Sequence, residues 1–140
     1  MSETTFRGSC LCGGVTYTIE GESKRFYHCH CSRCRKMSGT GHATNIMVGT
    51  GAVKWTDGES LLGYYKVPDA ERFFNQFCTQ CGSPLPKMIP DLGMALIPAG
   101  TLDTVPDISP QARIFWDSRA EWSCEAGELP TFSEYPPAAG

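Results

Sequence analysis

The chain has 140 residues, a net charge of −3 and a pI of about 5.6. That length suits a single domain spanning residues 1–140, one able to hide roughly 70% of the surface its unfolded chain exposes. The acidic balance argues against a nucleic-acid partner held through backbone phosphates, and no apolar run approaches the ~18 residues of a membrane helix.

Met1–Gly8 is polar and lacks the apolar core of a secretory signal, so the expected compartment is a reducing cytoplasm. Hydrophobic residues make up 41%, and 15 glycines and 10 prolines are spread along the chain rather than clustered. That pattern predicts many short strands joined by tight turns. In chain order, Gly14–Glu20 and Arg25–Cys31 alternate as strands do. Met37–Gly41 breaks the pattern with two glycines. Thr44–Val48, Val53–Thr56, Leu61–Val67 and Arg72–Phe77 read as further strands. Pro84–Ile89 and Met94–Pro98 can pair as a hairpin around Pro90–Gly93. Thr101–Pro110 has turn composition, Ser118–Trp122 could make one helical turn, and the tail from about residue 129 reads as irregular. No segment holds a 3.6-residue period over three turns, so the fold is expected to be mainly β with one or two short helical turns.

Seven of the eight cysteines fall into three groups: Cys10-Leu11-Cys12, then Cys29-His30-Cys31-Ser32-Arg33-Cys34, then Cys78-Thr79-Gln80-Cys81 followed by Gly82. In extended backbone, residues two apart share a face, so both sulfurs of C-x-C can reach one ion. In C-x-x-C the chain turns back and the sulfurs converge, with Gly82 supplying the left-handed backbone such a turn needs. In a reducing compartment eight cysteines point to metal ligation before disulfides. A thioredoxin-type redox pair at Cys31/Cys34 or Cys78/Cys81 lacks the βαβ context that motif requires.

The groups divide as four and three. Cys10, Cys12, Cys78 and Cys81 can close a tetrahedral structural zinc site. Cys29, Cys31 and Cys34 can hold a second zinc with an open fourth position, the usual form of a catalytic site. The alternative is a second structural site completed by His42, His28, His30 or Cys124. Strand alternation turns His28 and His30 away from Cys29 and Cys31, and Cys124 beside Trp122 reads as an inert thiol.

Three stretches carry a family resemblance: Gly8–Val15 (GSCLCGGV), His28–Gly39 (HCHCSRCRKMSG) and Phe77–Pro84 (FCTQCGSP), with Asp117–Ala120, Trp122 and Leu129–Pro136 in the tail. Together they resemble the glutathione-dependent formaldehyde-activating enzymes, which include the centromere protein V type proteins. The resemblance implies an Mss4-like fold of packed antiparallel β-sheets stapled by zinc. It implies two zinc ions per chain on the ligands divided above. It also implies a carbon–sulfur lyase activity that joins formaldehyde to glutathione. Arg113 and Glu121 stand where many relatives carry His and Pro.

A zinc ion with three thiolates carries a formal charge of −1 and is a weak generator of hydroxide, but it suits a fourth sulfur and would ionise a bound thiol near neutral pH. The expected partners are therefore a small-molecule thiol, glutathione-like, and a small aldehyde. Arg33, Arg35 and Lys36 could meet the thiol's carboxylates, or form a solvated face. Trp116 and Trp122 are expected to pack the tail on the core. The competing function is a non-enzymatic zinc module for a protein or nucleic-acid partner.

Overall fold

A computed structural model describes residues 5–123 and 129–137, and among these lie ten strands, one α-helix and five short 3-10 turns. The first sheet runs β1 (Thr5–Ser9), β2 (Thr16–Glu20), β5 (Val53–Asp57), antiparallel throughout. The central sheet is ordered β10 (Ala112–Ile114), β3 (Arg25–Cys29), β4 (Ala43–Gly49), β9 (Met94–Pro98), β8 (Lys87–Ile89). A separate ribbon pairs β6 (Leu62–Lys66) with β7 (Phe74–Cys78). The mainly β expectation holds. So does the hairpin of β8 and β9, closed by a 3-10 turn at Pro90–Leu92.

Period-two alternation explains the core. Tyr17 and Ile19 of β2 point inward while Thr16 and Thr18 stay at the boundary. Phe6 of β1, Ile46 and Val48 of β4, and Ala95 and Ile97 of β9 meet them, with Leu85, Cys10 and Cys78 in the same buried cluster. Burying a side chain of this size contributes about 1.5–3 kcal/mol. The two cysteines join this core, so the cysteine loops are packed against it rather than hung from its surface.

Three elements differ from the expectation. β1 (TFRGS) forms from a polar stretch because it pairs along its full length with β2, burying Phe6 and Gly8. β10 was not expected, and it lies parallel to β3 in an otherwise antiparallel sheet. Its approach is a long connection that bonds to β1 through Asp103 N–H on Arg7 C=O (2.7 Å) and to β3 through Gln111 N–H on Phe26 C=O (2.8 Å). Parallel strands need such a crossover. The third difference is α1 (Ser32–Ser38), a helix in a stretch without a 3.6-residue period. It is too short to show an apolar stripe, and Cys34 alone is buried on it. Its boundary signals are in the sequence: Arg35 and Lys36 in the last turn, then Gly39 in the left-handed region (φ 72°) donating its N–H to Arg35 C=O.

The helical turn expected at Ser118–Trp122 falls earlier, at Trp116–Ser118. Trp116 is half-buried, whereas Trp122 is 70% exposed and does not anchor the tail to the core. Residues 129–137 contain no strand or helix, as their prolines suggest. No helix among the described residues is long and apolar enough to cross a membrane.

Candidate metal centres

The first centre begins where β1 ends. Cys10 and Cys12 sit on a tight loop: Gly13 N–H donates to Cys10 C=O (3.0 Å) and Val15 N–H donates to Cys10 Sγ (3.3 Å). Cys78 closes β7, and Gly82 N–H returns to Cys78 C=O at 2.7 Å with Gly82 at φ 78°, the left-handed turn that its position predicts. Ser83 ties the two loops together. Its hydroxyl accepts from Leu11 N–H (2.9 Å) and lies 3.3 Å from Cys81 Sγ. Its side chain, then its backbone N–H, hold the Cys81 thiol down to about 5. Gly58 backs the first loop so closely that a Cβ there would lie 1.9 Å from Gly14 C=O, which leaves glycine the only residue that fits.

Four sulfurs thus converge from residues far apart in the chain. Those of Cys10, Cys12, Cys78 and Cys81 lie within 4.8 Å of one another. Cys10 and Cys12 are 3.6 Å apart, and Cys12 and Cys78 are 3.8 Å apart. A tetrahedral ion with metal–sulfur bonds of ~2.3 Å needs sulfur–sulfur edges of about 3.8 Å. The donor set fits a thiolate-bound ion, and the separations are far beyond a disulfide. All seven described cysteines are free thiols.

The second centre is built on the β3–α1 junction. Cys29 ends β3 between Ala43 of β4 and Ile114 of β10. Cys31 caps α1, its sulfur accepting from Cys34 N–H at 3.3 Å. The sulfurs of Cys29, Cys31 and Cys34 form a second group within 4.8 Å. They differ in protonation. A hydrogen bond from Cys34, partly offset by burial, lowers the Cys29 thiol to about 6, while the same bond and burial push Cys34 up. The metal-free cluster therefore carries a thiolate on Cys29 at neutral pH. As pH rises through about 6 the thiolate fraction rises, so within this second cluster alkylation of metal-free protein by iodoacetamide is expected to begin at Cys29 with a midpoint near pH 6. Metal should protect it. Peptide mapping of the alkylated site checks both.

No fourth protein ligand joins this group among the described residues. The histidines lie on the opposite face of β3, as alternation predicts. His28 stacks on His42 (ring centres 4.1 Å apart), and His30 packs against His42 (5.0 Å) and edge-on to Trp116 (4.9 Å). Burial lowers the pKa of both His28 and His30, favouring the neutral form. Cys124 lies outside the described residues.

The cluster opens into a cavity of about 570 Å³ lined by Tyr27, Asn45, Met47, Phe73, Leu96 and Phe115, among others. Arg33 also lines it, pairs with Asp69 (3.8 Å) and leans toward the Phe73 ring. Arg33 and Lys36 both line an adjoining cavity of about 320 Å³, and Arg35 is among the lining residues of neither. Of the three basic residues flanking the motif, Arg33 and Lys36 therefore share one cavity and Arg35 stands apart.

Lys87 is the charged group that motif reasoning misses. It is 7% exposed, donates to Phe74 C=O (2.7 Å), lies 4.5 Å over the Phe73 ring and 3.9 Å from Met37 Sδ. Burial lowers its pKa, and the electrostatic pull of the Cys34, Cys31 and Cys29 sulfurs raises it again in part. Among the described residues no carboxylate pairs with it, so these sulfurs are its counter-charge. A lone cation in the otherwise apolar run Leu85–Ile89 is the sequence signal that could have found it.

The profile of a family described as glutathione-dependent formaldehyde-activating enzyme matches residues 5–118. A crystal structure of a Rhodobacter sphaeroides protein, a Northeast Structural Genomics target, shares the fold with a TM-score of 0.57 at 19% identity, over 76% of this chain and 98% of that one. No curated protein matches. The matched span includes both cysteine clusters and the strands that carry them, and the chain belongs to the glutathione-dependent formaldehyde-activating enzyme family.

Proposed function

We propose that the chain is a zinc-dependent protein of the carbon–sulfur lyase type that activates a thiol for reversible addition to a small aldehyde. The observation that carries this reading is the three-cysteine cluster facing a cavity with no fourth protein ligand among the described residues. Cys10, Cys12, Cys78 and Cys81 would hold a structural zinc. Cys29, Cys31 and Cys34 would hold a second, catalytic one.

Zinc at the second site would lower the pKa of a thiol occupying its open position, because coordination deprotonates thiols. The chain's residues do the rest. Three thiolates keep the site anionic and turn it away from water activation. Lys87 offsets that charge from within the protein. Arg33 offers one carboxylate contact at the cavity. In the addition, the substrate sulfur loses its proton and attacks the carbonyl carbon. The carbonyl π pair moves to oxygen, which takes up a proton, leaving a hydroxymethyl thioether when the aldehyde is formaldehyde. The reverse step releases both partners.

The family description makes glutathione and formaldehyde the first pair to test. Free thiol is only a few per cent ionised at pH 7, so full ionisation alone supports an acceleration of about tenfold or more. Exchange NMR on zinc-loaded protein with several thiols should show it, and Cys31→Ser should return the rate to the spontaneous one. A rate no faster than spontaneous with every thiol would sink the proposal.

A further inference from the structure

We infer that the thiol taken by the Cys29/Cys31/Cys34 site has an apolar body, aromatic or branched aliphatic, with at most one carboxylate. This rests on the reading that the cluster holds a metal with an open position. It goes beyond that reading by naming the substrate class.

The charge inventory of the cavity argues for it first. Its walls are Tyr27, Met47, Phe73, Leu96, Ile114 and Phe115. Its polar contributions besides the cysteines come from Ser32, Asn45, Ser118 and Arg33. Arg33 is the one cation and is already paired with Asp69. Among the described residues no carboxylate lines the cavity. A tripeptide such as glutathione brings two carboxylates and an ammonium. In this cavity the two carboxylates would meet one cation beside an anionic sulfur cluster, and charged groups that leave water without partners bind poorly. An apolar body meets the opposite situation, since every ring and branched chain it covers gains from leaving water. The volume, about 570 Å³, is that of a small-molecule site.

The second, independent observation is Phe115. It is the single described non-glycine residue with left-handed backbone, at φ 54°. It is also 62% exposed. A bulky residue is strained in that region, and an exposed ring gains nothing from the core in return. The strain is accounted for if the ring's partner is a ligand in the cavity it lines. Immediately before it, Ile114 of β10 sits opposite Cys29 of β3, and Phe115 lines the same cavity as the sulfur cluster.

The test is a titration of the cobalt(II)-substituted full chain, reading the sulfur-to-cobalt charge-transfer band, with Cys31→Ser as the control that removes the second site. Benzyl mercaptan, 2-mercaptoethanol and glutathione are the probes. Benzyl mercaptan is expected to bind at least tenfold more tightly than either other thiol. Glutathione binding as tightly as benzyl mercaptan, or more so, overturns the apolar class while leaving the open site standing. No spectral change with any thiol overturns the open site itself, and this inference with it. Phe115→Gly, and Phe115→Asn as a second residue that accepts the left-handed backbone, should lower the ratio of benzyl mercaptan to 2-mercaptoethanol affinity at least fivefold. A ratio unchanged in both folded variants overturns the role given to Phe115.

Discussion

Cys78→Ser is expected to destabilise the fold strongly, while Cys31→Ser is expected to leave it standing with one metal fewer. Cys78 is fully buried, lies in the main hydrophobic cluster, and shares its sulfur position with the loop after β1. On the zinc assignment proposed above, this ion joins the first sheet to the β6–β7 ribbon. Apparent binding energies of structural zinc run to ~10–16 kcal/mol, against a total stability of about 5–15 kcal/mol for a whole domain. Loss of one buried ligand should therefore cost about 4 kcal/mol or more, a fall in Tm of roughly 10–20 °C for a chain this long. Cys31 is half-buried at the helix cap. Its replacement keeps an oxygen that can still cap α1, so the second metal should be lost with a change in Tm of only a few degrees. Metal content by mass spectrometry and thermal melts of both variants decide the matter. Equal collapse, or equal tolerance, would contradict the division of labour between the two centres.

The second large effect is expected at Lys87, and its sign should reverse with pH and metal. With metal bound at neutral pH, Lys87→Met removes the ammonium that balances three thiolates. A unit charge pair ~8 Å apart is worth about 2 kcal/mol at an effective dielectric of ~20, so zinc affinity at this site should fall by ~10–30-fold. In metal-free protein below pH 6 the position reverses. Cys29, whose thiol ionises at about 6, is then protonated, and Lys87 is a buried cation with no anion beside it. Exchanging such a group for an apolar one of similar length is neutral or stabilising. Lys87→Met should thus melt no lower than the parent chain at pH 5 without metal. A chelator competition titration and paired melts check the two halves. A loss of stability of the same size under both conditions would show that Lys87 serves packing and not charge balance.

Much of the fold was legible in the sequence because β-strands that bury one face write that face into their alternation. β2, β4 and the β8–β9 hairpin are of this kind, and their expected bounds fall within two or three residues of the observed ones. β1, β10 and α1 were not legible for a shared reason. Each is short and carries few buried side chains. β1 and β10 exist because a neighbouring strand pairs with them, and α1 because a cysteine caps one end and Gly39 the other. Pairing and capping energies depend on what lies nearby in space, and local composition does not record it.

The candidate site divides along the same line. Spacing alone grouped the seven cysteines as four and three and turned His28 and His30 away from Cys29, because C-x-C and C-x-x-C are local geometries set by the backbone between them. The surroundings of the second cluster were decided only by the tertiary structure. Phe73 and Leu96 reach the cavity from β-strands and loops far along the chain, Phe115 comes from the strained turn after β10, and Lys87 is buried from an edge strand. Arg33, Arg35 and Lys36 show the limit from the other side. Close in sequence, they divide in space because α1 sets Arg33 and Lys36, three residues apart, toward one cavity and Arg35 away from it. Local chemistry therefore determined which atoms can hold a metal. Long-range packing determined the charge, the apolar walls and the open side that decide what such a metal would meet.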